Sequence, residues 1–224
     1  MKTFNFSLQL ISISYLLWFI NPSMSPISNS SEVKANQVEK WQSLFNHKNL
    51  HGWHALPGGE WKVENGIIVG TSRADEPLHG ILLSDKVYSD FKLKVNYKAI
   101  KGNSGVYFRV EKVNDPVHVY GFQVEIDPER DAGGLYETGN RGWVAQPTPK
   151  DVKKWYKPNE WNEMVIIAKG KDVVVYINGY KTAELNNDPG RTKGYIGLQL
   201  HGNAEMNVMF KDILLIKNPK DMKL

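Results

Sequence analysis

Residues able to move protons or hold hydroxyl groups fall on three short stretches in which apolar and polar side chains alternate. From Phe122 to Asp127, the apolar set Phe122, Val124 and Ile126 alternates with Gln123, Glu125 and Asp127. Successive side chains of a strand point to opposite faces, so the three polar groups share one face while the apolar set faces a core. The same parity leaves Tyr107 and Arg109 opposite Val106, Phe108 and Val110, and Gln199 and His201 opposite Leu198 and Leu200. A merely solvated face is usually Lys, Glu, Thr and Ser. Gln, His, Arg and Tyr instead hydrogen-bond hydroxyl groups in fixed geometry. If the three strands are neighbours in one sheet, these side chains converge on a shared groove.

The elements that must position this chemistry are strands. Phe91, Leu93, Val95 and Tyr97 alternate with Lys92, Lys94 and Asn96, a strand with one buried and one wet face. Further apolar runs span Trp161 to Ala168, Asp172 to Ile177, Tyr195 to Leu200 and Val208 to Ile216. Asn178-Gly179 closes one of them with a dipeptide suited to a tight hairpin. No long segment sustains a 3.6-residue period. Short strands punctuated by Gly, Asn and Pro predict an all-β jelly-roll sandwich of two antiparallel sheets, in one domain over residues 41–217. Asp131 to Lys157 is the longest weakly patterned stretch and predicts a functional loop.

Composition narrows the partners. Hydrophobic residues make up 41% and charged residues 23% of the 224-residue chain, enough to bury a core. The net charge of +4 comes with lysines spread along the chain and no dense basic patch, which argues against a nucleic acid partner. The chain has no cysteine, so disulfides, thiol catalysis and lipid attachment to an N-terminal Cys are excluded. Seven Trp and ten Tyr supply rings for sugar stacking or for a sandwich core. Nothing in the sequence sets an oligomeric state. Residues 1–30 read as an export signal or N-terminal anchor with a tether: Lys2, an apolar-rich run from Leu8 to Ile20, then the helix-breaking Asn21-Pro22. That run is shorter than the roughly 20 residues a spanning helix needs, so the expectation is a signal peptide and an exported protein.

Six segments, in order, resemble the 3-keto-disaccharide hydrolase family. Leu44 to Trp53 (LFNHKNLHGW) is similar to its opening LFNGKDLSGW, and Trp61 to Gly66 to its W-x-V-E-D-G. Asn103 to Arg109 (NSGVYFR) resembles NSGIYFR, and Tyr120 to Asp127 (YGFQVEID) resembles GYEVQILD. Lys157 to Asn162 resembles KPxGEWN, and Gly197 to Gly202 (GLQLHG) resembles I-x-LQxHG. The family carries Glu-Val-Gln-Ile where this chain has Gln123-Val124-Glu125-Ile126, so acid and amide are exchanged on one face of the strand. The resemblance runs from about residue 42 to 217. It implies a concanavalin-like jelly roll, cleavage of glycosides whose sugar is oxidised at C3, and a sugar-contacting role for Asn103.

A C3 ketone acidifies the neighbouring C2–H. Removal of that proton expels the C1 substituent, and water adds afterwards. The base near C2 is His201, Glu125 or Asp127; imidazole serves at neutral pH without tuning. Arg109 or a bound metal would hold the enolate oxygen. Tyr107 or Tyr136 would meet the departing oxygen. Asp127, Glu125 and His201 form a plausible hard-ligand set for a divalent metal, without a spacing motif.

Two other readings stand beside this one. Glu125-Ile126-Asp127-Pro128-Glu129 resembles the Glu-x-Asp-x-Glu strand of laminarinases and lichenases, in which Glu125 would be nucleophile and Glu129 acid. Their carboxyls must approach to about 5–5.5 Å, although residues four apart on a strand start about 13 Å apart and Pro128 interrupts the strand. A non-catalytic carbohydrate-binding module would instead stack sugars on Trp53, Tyr107 and Trp143, with Arg109 and Gln199 as hydroxyl partners.

Overall fold

The computed structural model describes Met1 and residues 39–224, so the expected leader lies outside the described residues. The chain runs through β1 (Gln42–Ser43), β2 (Trp53–Ala55), β3 (Glu60–Glu64), β4 (Ile67–Ser72), β5 (Gly80–Tyr88) and β6 (Phe91–Lys101). It continues through β7 (Ser104–Lys112), β8 (Val119–Ile126), β9 (Leu135–Thr138), β10 (Gly142–Ala145) and the helix α1 (Pro149–Trp155). The remaining strands are β11 (Asn162–Lys169), β12 (Asp172–Ile177), β13 (Tyr180–Leu185), β14 (Gly194–Leu200) and β15 (Met206–Lys217).

These strands form the two antiparallel sheets that the alternation predicts. One has the order β13-β12-β11-β6-β15-β4-β3, with β1 added along β15; the other has the order β10-β9-β8-β7-β14-β5-β2. The core lies between them. Phe91, Leu93, Val95 and Tyr97 of β6 face Val106 and Phe108 of β7, Phe122, Val124 and Ile126 of β8, and Leu198 and Leu200 of β14 in one buried cluster. Each such side chain contributes about 1.5–3 kcal/mol on burial, which fixes the register because a one-residue slip would turn the whole set outward. Asn178 and Gly179 take positive φ values of 50° and 83° and close the two-residue turn between β12 and β13, the geometry for which Asn-Gly is suited.

The stretch Asp131 to Lys157 is not a loop throughout. It holds β9, β10 and α1. Two strands of 4 residues and a helix of 7 are too short to show a period. The helix is set by local chemistry: the Thr148 hydroxyl caps the Asp151 amide at 3.2 Å, and proline starts the first turn. Its buried Trp155 donates from Nε1 to the Ala132 carbonyl at 2.9 Å. This contact pins the turn that follows β8.

Candidate active site

The outer face of the seven-stranded sheet carries the polar set. Tyr107 pairs with Gln123 across β7 and β8, Gly105 pairs with Glu125, and Gly197 of β14 pairs with Tyr107. Gln123 in turn lies beside Tyr136 of β9. Antiparallel pairing puts directly opposed residues on one face, so Tyr107, Gln123, Glu125, Tyr136 and Gln199 look out together. They line a pocket of about 310 Å³ with Asn103, Trp143 and His201. Of the seven residues that parity assigns to a shared groove, Tyr107, Gln123, Glu125, Gln199 and His201 line this pocket and Arg109 and Asp127 do not.

The floor is a directional hydrogen-bond chain. Gln123 donates from Nε2 to the Gln199 Oε1 at 2.9 Å, and the Gln199 Nε2 donates to the Tyr107 hydroxyl at 3.3 Å. That hydroxyl lies 3.2 Å from the Thr138 hydroxyl. All three residues are buried, and burial pushes the Tyr107 phenol well above its usual range, so it remains a hydroxyl at any physiological pH. Gln123 lies flat across Gly105, where an added Cβ would sit 2.4 Å from its Nε2.

Glu125 is the buried acid of this floor. Beyond it the chain reverses: the Glu125 amide donates to the Gly134 carbonyl at 3.0 Å and the Gly133 amide returns to the Glu125 carbonyl at 2.9 Å. The reversal brings Asp131 close. Burial first, then the carboxylates of Asp127 and Asp131, push the Glu125 carboxyl up to about 8, and a hydrogen bond from Asn103 opposes the rise. Glu125 is thus mostly the neutral acid at pH 7. The Asn103 Oδ1 is buried and has no partner among the described residues.

Two imidazoles form another wall. His201 directly follows β14, and its Nδ1 lies 2.7 Å from the Gly202 carbonyl. A carbonyl can only accept, so Nδ1 carries the hydrogen and the neutral ring keeps its lone pair on Nε2. Its neighbour is His79, with ring centroids 4.4 Å apart. Sequence parity missed His79. It shares parity with Ile81 and Leu83 of β5, but those apolar residues lie on the outer face, so Ile81-Leu82-Leu83 shows no alternation. Burial, then the charges of His201 and His118, lower the His79 imidazole to about 4. The weakly patterned stretch hid Asp131 and Thr138, which also line the pocket, as does Arg130 just before it. Asp131 accepts from Gln146 Nε2 at 3.0 Å and lies 3.5 Å from the Arg130 guanidinium. At the rim, the exposed Trp143 meets Tyr136 edge-on at 5.3 Å.

Three expected site residues lie elsewhere. Arg109 has a φ of 53° and is an extra residue in β7: Phe108 and Glu111 pair with Phe122 and Tyr120 across a bulge. Two glycines make room for it, since a Cβ on Gly194 or Gly121 would come within 2.3 Å or 2.9 Å of the Arg109 backbone. Parity breaks there. Val110 resumes the face of Tyr107, while Arg109 donates to the Ser89 carbonyl at 2.7 and 2.9 Å and approaches Asp90 at 3.4 Å. It braces the turn between β5 and β6 rather than the pocket. Trp53 is a core residue whose Nε1 donates to the Leu44 carbonyl at 2.7 Å. Asp127 lies one step past the pocket, in a neighbouring hollow with Glu129, and its Oδ1 accepts the amides of Glu129 and Arg130 at 2.8 and 3.2 Å. Among the described residues no three His, Asp or Glu side chains are gathered to hold a metal, so Asp127, Glu125 and His201 do not form the ligand set considered above.

The fold and the site together define a two-sheet jelly-roll domain with a polar, aromatic-rimmed pocket on one outer face. The chain belongs to the 3-keto-alpha-glucoside-1,2-lyase-like domain family, whose model matches residues 40–216. Solved structures agree on the fold. A protein from Parabacteroides distasonis ATCC 8503 proposed to be a glycosyl hydrolase is 22% identical, with a TM-score of 0.59 over 80% of this chain and 94% of that one. A second from the same organism, likewise proposed to be a glycosyl hydrolase, is 25% identical, with a TM-score of 0.54 over 80% and 99%. The carbohydrate-binding module CBM66 from Bacillus subtilis is 18% identical, with a TM-score of 0.55 over 74% and 96%. Among curated proteins none matches.

Proposed function

We propose that this protein cleaves glycosides oxidised at C3, by removing the C2 proton and expelling the C1 substituent. His201 is the base. Its Nε2 takes the C2 proton, and the C–H electrons form the enolate with the C3 oxygen. The enolate then collapses, the C1–O bond breaks, and neutral Glu125 gives its proton to the departing oxygen. Water adds at C1, losing a proton to the Glu125 carboxylate, while C2 regains a proton from His201. Net hydrolysis leaves both groups as they began. The Gln123–Gln199 floor orients sugar hydroxyls, and Trp143 with Tyr136 offers an apolar face to a sugar ring. The expected leader would carry this activity outside the cytoplasm.

The observation that carries the reading is the presence in one pocket of the buried Glu125 carboxyl, pushed up to about 8, and the His201 imidazole, whose Nδ1 is held by a carbonyl and whose Nε2 has no partner among the described residues. A retaining pair on this strand would need Glu129, which is exposed beyond Pro128 and lines the other hollow. The test is cleavage of a 3-keto-glucoside beside the unoxidised glucoside, in deuterium oxide. Cleavage of the keto sugar alone, with deuterium at C2 of the product, is expected. Rapid cleavage of the plain glucoside without exchange at C2 overturns the proposal.

A further inference from the structure

One side chain of the pocket has no part in the steps above, and its surroundings leave it a single hydrogen-bonding role. The His79 ring is held between two neighbours: His201, at 4.4 Å between centroids, and the Gln199 amide, whose Nε2 lies 3.4 Å from the His79 Nδ1. The amide is oriented from behind. Its oxygen accepts from Gln123, so its nitrogen faces the Tyr107 hydroxyl and His79. An amide nitrogen only donates, so the His79 Nδ1 must carry a lone pair. The hydrogen of the neutral ring then sits on Nε2, which no group takes among the described residues, in a ring that lines the pocket.

The backbone holds the ring there. The His79 amide donates to the Pro116 carbonyl at 3.0 Å, and the Asn203 amide donates to the Glu76 carbonyl at 2.6 Å, which ties the loop before β5 to the turn after β14. Gly202 lies so close to this loop that a Cβ would come within 2.7 Å of the Pro77 carbonyl oxygen. The facing charges run both ways: His201 and His118 oppose a cation at His79, and Asp115 favours one more weakly.

We propose that His79 is a catalytic residue that donates a hydrogen bond from its neutral Nε2–H to the C3 oxygen of the substrate as the enolate forms. This rests on the reaction proposed above, in which Arg109 cannot reach the pocket to do so. The proton stays on His79 throughout: His201 accepts the C2 proton and Glu125 meets the leaving oxygen, so no charge is added to or removed from His79. A neutral imidazole suits the task, because its fixed N–H strengthens as charge develops and does not compete with His201 for the proton.

The test joins nitrogen-15 NMR of the full chain with kinetics on a 3-keto-glucoside. Between pH 5.5 and 8, His79 is expected as the Nε2–H tautomer, and the Nε2 proton signal shifts when the keto sugar is added. His79→Ala is expected to lower kcat about 100-fold, in the range for loss of one oxyanion donor, with KM changed less than about threefold. His79→Gln, which can donate from its amide, recovers about tenfold of that loss. An Nδ1–H tautomer, a protonated ring at pH 6, or His79→Ala with kcat within about threefold of the parent overturns the assignment. If His79→Ala does not fold, the wild-type tautomer and His79→Gln decide. A wild-type protein that cuts no keto sugar sinks the reaction itself, and the shift of the Nε2 proton on adding that sugar still tests the contact.

Discussion

His79 and His201 face each other across 4.4 Å, each fixed at its Nδ1 by a different partner: an amide nitrogen for His79 and a carbonyl oxygen for His201. The two rings therefore hold opposite tautomers. One presents a hydrogen to the pocket and the other a lone pair. The nearness of His201 adds to burial in keeping the His79 ring neutral.

Stability should fall on mild acidification because of this pair. Burial and its neighbours lower the His79 imidazole to about 4 from the 6.5 of an unfolded chain. Above 6.5 both states are neutral and nothing is lost. Below it the unfolded chain binds a proton that the folded ring refuses, and stability declines until pH 4. After discounting for the half-exposed site, the loss is about 1–2 kcal/mol. Urea denaturation at pH 7.5 and 4.5 should show a smaller decline in His79→Gln than in the parent; equal declines refute it.

Glu125 acts at the other end of the scale. Its folded carboxyl sits at about 8 against an unfolded 4.5. The folded state holds the proton more tightly, so this contribution is complete below pH 4.5 and is lost as pH rises through 8. Glu125→Gln should therefore match the parent near pH 4.5 and melt higher at pH 9. Turnover on the keto sugar should drop about 10²- to 10⁴-fold, the usual scale for loss of a general acid. A melting difference that does not change with pH contradicts the burial argument.

Arg109→Met should destabilise without disabling. It strips the donors from the Ser89 and Arg191 carbonyls, at about 1–3 kcal/mol for each buried acceptor left unpaired. We expect a loss of about 2–4 kcal/mol in urea denaturation and a kcat within about twofold of the parent for the folded protein. A 100-fold fall in kcat at full stability would return Arg109 to the site.

Much of this was legible in alternation alone. Phe122, Val124 and Ile126 announced the core, and by exclusion Gln123 and Glu125 announced the pocket. Parity failed at Arg109 because a left-handed residue resets the count, and the glycines that permit it, Gly121 and Gly194, lie on neighbouring strands. It failed at His79 because the outer face of β5 is itself apolar, with Ile81 and Leu83 packed against Tyr107 and Val110. Asp127 lies in a neighbouring hollow instead, since its Oδ1 is committed to the turn amides of Glu129 and Arg130. Asp131 meets Glu125 through a chain reversal that no local pattern encodes.

Trp143→Ala should separate binding from chemistry. The ring is 37% exposed, so the melting temperature should barely change. Loss of stacking worth about 0.5–1.5 kcal/mol raises KM roughly 3- to 10-fold with kcat preserved. An unchanged KM would mean that no ring stacks there.

The burial that keeps Glu125 protonated, with the carboxylates of Asp127 and Asp131 adding to it, also sets a selectivity that needs no steric wall. A pocket floor that disfavours an anion of its own chain also disfavours one carried in by a ligand. For the reaction proposed above, uronic acids and sugar phosphates are therefore expected to meet a penalty that neutral hexosides of the same size do not, and that penalty grows as Glu125 ionises above pH 8.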